Sequence, residues 1–354
     1  MKTINCRTNR KPSAYDIHIC KGVLDKAGIE IKEIAKGKKT AIISDSNVAP
    51  LYANRLSAAL RDAGFEADVF IFTAGEQSKN FGTINNIYTF LEKFCMTRAD
   101  TIIALGGGVT GDMAGFAAAT FLRGVRLVQI PTTLLACVDS SVGGKTGYDL
   151  PEGKNHVGAF YQPSLVLIDP DVLDTLPRGT WCDGMAEVIK YAFIRDPALF
   201  DKLAAYKDKE EIEDIIETCV RIKSDVVEAD ELDTGIRGIL NFGHTFGHAA
   251  EKIEHYTGIT HGSAVAAGMV MAAAIGEYLG LTERGTKEKI ISLNKKFSLP
   301  ISFAQKPLEL FSALTNDKKN LNGVISLVML KKTGEAFLWP VELSELKSIM
   351  NEAL

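Results

Sequence analysis

The chain has 354 residues, 46% hydrophobic and 24% charged, with a formal net charge of −4. That length predicts two domains rather than one core, and the balance of charge provides no electrostatic footprint for nucleic acid or an anionic membrane surface. The six cysteines (Cys6, Cys20, Cys95, Cys137, Cys182, Cys219) form no Cys-x-x-Cys. They read as free thiols of a reducing compartment and argue against a disulfide framework or a zinc ribbon.

The N-terminal stretch lacks the apolar core of a signal peptide. The most apolar run, Ala264 to Ile275, is too short to span a bilayer, so the expectation is a cytoplasmic protein. Tyr15 to Cys20 alternates as a strand should, and Thr40 to Ser44 is a short apolar strand closed by the turn Asp45-Ser-Asn47-Val. A helix over Leu51–Ala63 is closed by Gly64. Strand Ala67–Phe72 runs into the loop Ala74-Gly-Glu76-Gln-Ser-Lys79. A helix over Asn80–Phe94 then leads to strand Thr101–Leu105. Strand and helix signals alternating at this spacing predict parallel βαβ units covered by helices.

Gly106-Gly107-Gly108-Val-Thr-Gly111-Asp112 follows that strand and precedes a helix over Met113–Phe121. It matches Gly-x-Gly-x-x-Gly at 106, 108 and 111, in the context that lets backbone approach a pyrophosphate at a helix N-terminus. It departs from the usual dinucleotide fingerprint by lying on a late strand and lacking an acidic strand end about 20 residues on. The pattern supports phosphate binding near Gly106–Asp112. The Asp112 carboxylate would repel a phosphate and suits a ribose hydroxyl or an amide.

Strand Leu127–Thr133 ends in Thr132-Thr133, and Asp139-Ser-Ser-Val-Gly-Gly-Lys145-Thr-Gly147 follows. A P-loop needs glycine where Asp139 stands, which rules that motif out. What remains is a glycine-rich loop presenting Lys145 and Lys154 beside Asn155, suited to close approach by an anion. Ser164–Asp169 is the last strong strand of this half.

From about Asp171 helical patterns dominate. Glu187 and Lys190 sit three apart on a mostly apolar helix, where buried charge needs a partner or a metal. A charged amphipathic helix over Glu210–Val227 carries Arg221 and Lys223. Next comes Arg237-Gly-Ile-Leu-Asn241-Phe-Gly-His244-Thr-Phe-Gly-His248, whose histidines lie four apart, about 6 Å along a helix. His261 follows. Helices continue over Ala264–Leu279 and Glu283–Phe297, with a basic turn at Asn316–Asn320. Gly323–Leu330 and Ala336–Trp339 read as a hairpin before a terminal helix from about Leu343. The expected architecture is an α/β Rossmann-like half with a parallel sheet, residues 1–172, joined across a cleft to a mainly α-helical half, residues 173–354.

Glu187 and the three histidines are the best metal set, since two imidazoles and one carboxylate make a common catalytic zinc arrangement. Spacing alone nominates His244 and His248 as the pair and leaves His261 over. The surrounding Lys145, Lys154, Lys190, Lys223, Arg237, Lys318 and Lys319 suit an anionic substrate.

These motifs in order, with Pro131-Thr-Thr-Leu-Leu-Ala, Met185-Ala-Glu-Val-Ile-Lys190, His261-Gly-Ser-Ala-Val-Ala and Asp317-Lys-Lys-Asn, resemble the 3-dehydroquinate synthases of the sugar-phosphate cyclase superfamily over nearly the whole chain. The resemblance implies NAD and a divalent metal, zinc or cobalt, with the metal on Glu187, His244 and His261. It places NAD contacts at Asp45, Asn47, Glu76, Lys79, Gly107, Gly108, Asp112, Thr132, Thr133, Asp139, Lys154, Val172 and Thr175. Substrate contacts fall at Lys145, Asn155, Lys190, Lys223, Arg237, Asn241, His248, Lys318 and Lys319. Arg123 resembles an arginine lent to the neighbouring subunit's phosphate site, which implies a homodimer. The implied reaction takes 3-deoxy-D-arabino-heptulosonate 7-phosphate through transient oxidation by NAD, β-elimination of phosphate, reduction, ring opening and aldol closure. Asn155 and His248 would relay protons. The competing expectations are a sister cyclase, such as one making 2-deoxy-scyllo-inosose, and a metal-dependent polyol dehydrogenase. One segment, Leu176-Pro-Arg-Gly-Thr180, departs from the Leu-Pro-x-Arg-Glu usual in the family.

Overall fold

A computed structural model describes residues 14–151, 153–207, 211–254, 258–315 and 323–354. Its first half is a six-stranded sheet of β1 (Asp16–Ile19), β2 (Lys39–Asp45), β3 (Glu66–Phe72), β4 (Thr101–Gly106), β5 (Arg126–Pro131) and β8 (Leu165–Ile168). The order is β1-β8-β5-β4-β2-β3, and every neighbouring pair is parallel. Strand β4 is buried along its whole length, as a strand covered on both faces must be. Ile42, Ile103, Leu105 and Val128 face α1 (Val23–Ile34) and α2 (Ala49–Asp62). The alternate residues Ala41, Ile43, Ile102 and Ala104 face α3 (Phe81–Lys93) and α4 (Gly108–Thr120).

From β2 the chain steps outward to β3, then crosses back to β4 and proceeds the other way through β5 to β8. The direction of winding therefore reverses between β2 and β4. A crevice at the carboxyl ends of the strands opens at such a point.

Two sequence expectations change. Helix α4 starts at Gly108 and not at 113, so Gly111 and Asp112 belong to its opening turns. The glycine-rich stretch expected to be a loop instead forms an antiparallel hairpin, β6 (Lys145–Leu150) with β7 (Gly153–Phe160). Its glycines make this possible by letting the strands pack closely: a Cβ on Gly147 would lie 2.5 Å from the Val157 carbonyl oxygen. Before it, residues Ala136–Ser140 form a π-helical turn, a geometry frequent at functional sites.

The second half contains α5 (Arg178–Ile194), α6 (Pro197–Ala205), α7 (Ile212–Ala229), α8 (His244–Ile253), α9 (His261–Tyr278), α10 (Thr286–Lys296) and α11 (Pro307–Thr315). The expected hairpin follows as β9 (Val324–Lys332) with β10 (Glu335–Glu342), and then α12 (Leu343–Ala353). One core spans both halves: Leu134, Val138, Val166 and Ile168 pack in the same cluster as Met185, Ile189 and Phe193. Among the described residues no helix is long and apolar enough to cross a membrane. The departing segment at 176–180 falls at the first turn of α5, where Gly179 and Thr180 are exposed.

Candidate active site

Three helices bring the acid and the imidazoles together. Glu187 lies mid-way along α5 and is buried. Its Oε1 is 3.4 Å from His244 Nε2 at the start of α8 and 3.3 Å from His261 Nε2 at the start of α9. The donor atoms of these three residues all lie within 4.8 Å of one another. His244 Nδ1 is 3.1 Å from the Phe242 carbonyl oxygen. That bond places the proton on Nδ1 and leaves the Nε2 lone pair aimed at the cluster. Lys190 Nζ is 2.5 Å from Glu187 Oε2, yet neither carboxylate oxygen has a hydrogen bond of good geometry. A buried carboxylate with two imidazole lone pairs converging on it is a donor set that fits a divalent cation.

Glycine contacts weld these helices. Gly243, at φ 81°, leads into α8. A Cβ at Gly268 would lie 2.0 Å from the Gly243 carbonyl oxygen, and one at Gly262 would lie 2.3 Å from that of Asp183, one turn before Glu187. Asp183 also accepts hydrogen bonds from Thr260 Oγ1 (2.6 Å) and Ser263 N (3.2 Å), fixing the start of α9 to α5.

His248, four residues after His244, faces elsewhere. Its ring meets that of His244 edge-on at 5.4 Å, and its donor atom groups with those of Glu251 and His261. Spacing alone paired His244 with His248, whereas the structure groups His244 with Glu187 and with His261 of another helix. His248 keeps solvent contact in the cleft, while protein packed around the ring, with His244 nearby, pushes its pKa down to about 3. For His261, burial opposes charge, but Glu187 and Glu251 override it and lift the pKa to about 10. Carboxylates that favour a proton on that ring also favour a metal ion in its place.

Cations surround the cluster. Lys190, Lys223 and Arg237 are all buried. Asp139 joins two of them: its Oδ1 is 3.0 Å from Lys223 Nζ and 3.8 Å from Lys190 Nζ, and Tyr191 donates its hydroxyl to the same carboxylate. Burial opposes ionisation of Asp139, but Lys190 and Lys223 win and hold it well below the carboxylate range. Lys223 also donates to the Asp139 carbonyl oxygen at 2.7 Å. Arg237 Nη2 donates to the Gly143 carbonyl oxygen at 2.9 Å, and its backbone N donates to Asp230 Oδ2 at 3.1 Å. Lys145 pairs with Asp233, and Asn241 ends the 3₁₀ turn before α8, exposed. Lys318 and Lys319 lie outside the described residues.

At the carboxyl edge of the sheet, Asp45 ends β2 and accepts from Asn47 N (2.8 Å) and Val48 N (3.1 Å). Thr110 Oγ1, 3.3 Å from Asp45 Oδ2, bridges the crevice between β2 and β4. Gly107 and Gly108 open α4, whose first N–H groups have no side-chain cap and so suit an anion. A Cβ at Gly107 would come 3.0 Å from Thr133 Cγ2, a tight fit that the Thr133 side chain would have to relieve. Thr132 Oγ1 beside it is buried without a partner. Lys79 Nζ donates to Asp112 Oδ2 and to Asn155 Oδ1, both at 2.6 Å, which neutralises the carboxylate that would repel a phosphate. Asn155 holds a left-handed backbone (φ 56°) and donates its N–H to Asp149. Lys154 lies 3.6 Å from Glu76. Val172 and Thr175, after β8, are tied to Tyr52 of α2. This uncapped, glycine-lined crevice fits a dinucleotide. Arg123 stands apart, exposed on a turn where Leu122 and Arg123 both have positive φ.

Sequence reasoning passed over Glu251, Tyr191 and the anchoring role of Asp230. Glu251 carried a signal: it is seven residues, about two turns, after His244, and so shares its helix face.

A Rossmann-like half closed by a helical half that carries a carboxylate–imidazole cluster is the architecture of the sugar-phosphate cyclases. A solved 2-deoxy-scyllo-inosose synthase complexed with carbaglucose-6-phosphate, NAD+ and Co2+ superposes with a TM-score of 0.86 at 28% identity, over 96% of this chain and 97% of that one. Models of the 3-dehydroquinate synthase N-terminal and C-terminal domains match residues 69–183 and 184–320. The 3-dehydroquinate synthase of Clostridium acetobutylicum is 46% identical over 98% of both chains, and that of Streptococcus pneumoniae is 45% identical over 95% of this chain and 96% of that one. The chain belongs to the 3-dehydroquinate synthase family.

Proposed function

We propose that this protein converts 3-deoxy-D-arabino-heptulosonate 7-phosphate to 3-dehydroquinate and phosphate. The observation that carries the reading is the convergence of Glu187, His244 and His261 beside the buried cations Lys190, Lys223 and Arg237. Residues 1–172 would hold NAD through Asp45, Asn47, Glu76, Lys79, Gly107, Gly108, Asp112, Thr132, Thr133, Asp139, Lys154 and Val172, with Thr175 just beyond the boundary. Residues 173–354 would hold zinc or cobalt on Glu187, His244 and His261. Bound there, the two groups supply reversible hydride acceptance and Lewis-acid polarisation of vicinal oxygens.

The chain's own residues do the rest. Lys145, Lys190, Lys223 and Arg237, with Lys318 and Lys319, hold the substrate's carboxylate and phosphate, and Asn241 orients its hydroxyls. Holding one conformer through successive steps is the positioning contribution. Asn155 and His248 pass protons with water; a neutral imidazole can donate at one nitrogen and accept at the other. Arg123, exposed on its strained turn, completes the phosphate site of a second copy in a cytoplasmic homodimer. Sedimentation as a monomer at assay concentration would reject that last assignment.

The test measures phosphate release and absorbance at 340 nm with NAD and metal present. Phosphate release from the heptulosonate phosphate without accumulated NADH is expected. Turnover of glucose 6-phosphate alone would make the protein a sister cyclase, and net NADH from a polyol would make it a dehydrogenase.

A further inference from the structure

Glu251 has no part in the function proposed above, yet it is one of the most enclosed carboxylates among the described residues, 2% exposed on α8. A buried carboxylate must be compensated, and its partners come from different elements. His261 Nδ1, on α9, is 3.6 Å from Glu251 Oε1, and Lys154 Nζ, on β7, is 3.3 Å from the same oxygen. His261 turns its other nitrogen, Nε2, toward Glu187. With a metal ion on Nε2, the proton that remains sits on Nδ1, facing Glu251. A carboxylate behind the imidazole fixes the tautomer and ring orientation of a metal ligand and raises its basicity. Lys154 continues to Glu76 in the turn after β3. A line of alternating charge thus runs His261, Glu251, Lys154, Glu76, from the imidazole cluster to the carboxyl edge of the sheet.

We propose that Glu251 is a positioning residue that orients His261 and, through Lys154, makes metal binding and NAD binding mutually reinforcing. The proposal rests on the metal and NAD assignments of the preceding section. Linkage requires that the coupling be reciprocal: whatever factor metal adds to NAD affinity, NAD adds to metal affinity.

The test uses the full chain stripped with a chelator. Zn2+ affinity is measured by competition with a chromogenic chelator, and NAD affinity by calorimetry with and without Zn2+. Wild type is expected to bind one Zn2+ per chain and to bind NAD at least about 5-fold tighter when loaded, the lower end of usual coupling. Glu251→Gln should weaken Zn2+ binding by about 10- to 100-fold and bring the NAD ratio to about one. Glu251→Asp should recover part of both. Lys154→Met should keep Zn2+ affinity within a few-fold and lose the coupling, so the proposal stays testable should the Glu251 variants fail to fold. Unchanged Zn2+ affinity in Glu251→Gln overturns the proposal, as does coupling retained in Lys154→Met. Two Zn2+ per chain, the second lost in Glu251→Gln, would also overturn it by making Glu251 a ligand. Wild type that binds neither Zn2+ nor NAD would instead reject the underlying assignment.

Discussion

Asp139→Asn isolates the charge that knits the buried lysines together. The substitution keeps the shape and an acceptor for Tyr191 but removes the negative charge 3.0 Å from Lys223 Nζ and 3.8 Å from Lys190 Nζ. At an effective dielectric near 20 these contacts are worth roughly 5.5 and 4.4 kcal/mol before desolvation is subtracted. Lys190 keeps Glu187 at 2.5 Å, whereas Lys223 is left with the Asp139 carbonyl oxygen. The net cost then falls mainly on Lys223, at about 3 kcal/mol, the lower end for breaking a buried pair. At roughly 2 °C per kcal/mol for a long chain, melting should drop by about 6 °C. Because the folded-state pKa of Asp139 is depressed, its contribution is complete above the ordinary carboxylate range and disappears as pH falls through that range and below. The gap between wild type and variant should therefore be constant from about pH 6 to 8 and close in acid. The assay is thermal melting of the metal-free protein, with Lys223→Met and the double variant completing a cycle. A melting change under about 2 °C, or additive effects of the two substitutions, would refute the ion-pair reasoning.

Glu187→Ala and His261→Ala should lose metal and activity together, measured by metal analysis beside phosphate release. His248→Ala should keep its metal and lose about 10²- to 10⁴-fold in rate as a proton relay; loss of metal from this variant would mean the ligand set is wrong. Asp230→Ala should raise the KM for substrate more than it lowers kcat, because Asp230 holds the backbone at Arg237. Backbone N–H groups of Thr234, Arg237 and Gly235 hold its carboxyl at about 2. That support is present above the usual carboxylate pKa and lost as pH falls through about 2, so wild-type amides at 235 and 237 should be protected from exchange at pH 4 and lose that protection near pH 2.

The parallel sheet was legible because strands covered on both faces must be apolar throughout, and turn residues punctuate them. The hairpin at Lys145–Phe160 was not, since Gly143, Gly144, Gly147 and Gly153 read locally as a loop; Gly147 is nonetheless a strand residue, and close packing against the partner strand leaves no room for a Cβ there. The site divides similarly. The burial of Glu187 and Lys190 followed from their apolar helix, and the glycine stretch Gly106–Gly111 from its place between a strand and a helix, whereas Asp45 entered only with the family resemblance. Periodicity favoured His248 over His261 because it registers only neighbours on one helix, while the cluster is assembled from three. Glu251 escaped for the same reason: its significance depends on β7 and α9, which sequence distance does not bring near.

The glycine contacts among α5, α8 and α9 bear on how tolerance to substitution should be read in this chain. Gly243, Gly262 and Gly268 meet backbone and leave no room for a Cβ. Their replacement would spread the helices that carry Glu187, His244 and His261 and abolish activity, although none of the three touches a reactant. A saturation screen scored on growth would rank them with the chemistry itself. Only metal retention measured variant by variant would separate the residues that react from those that keep the frame closed.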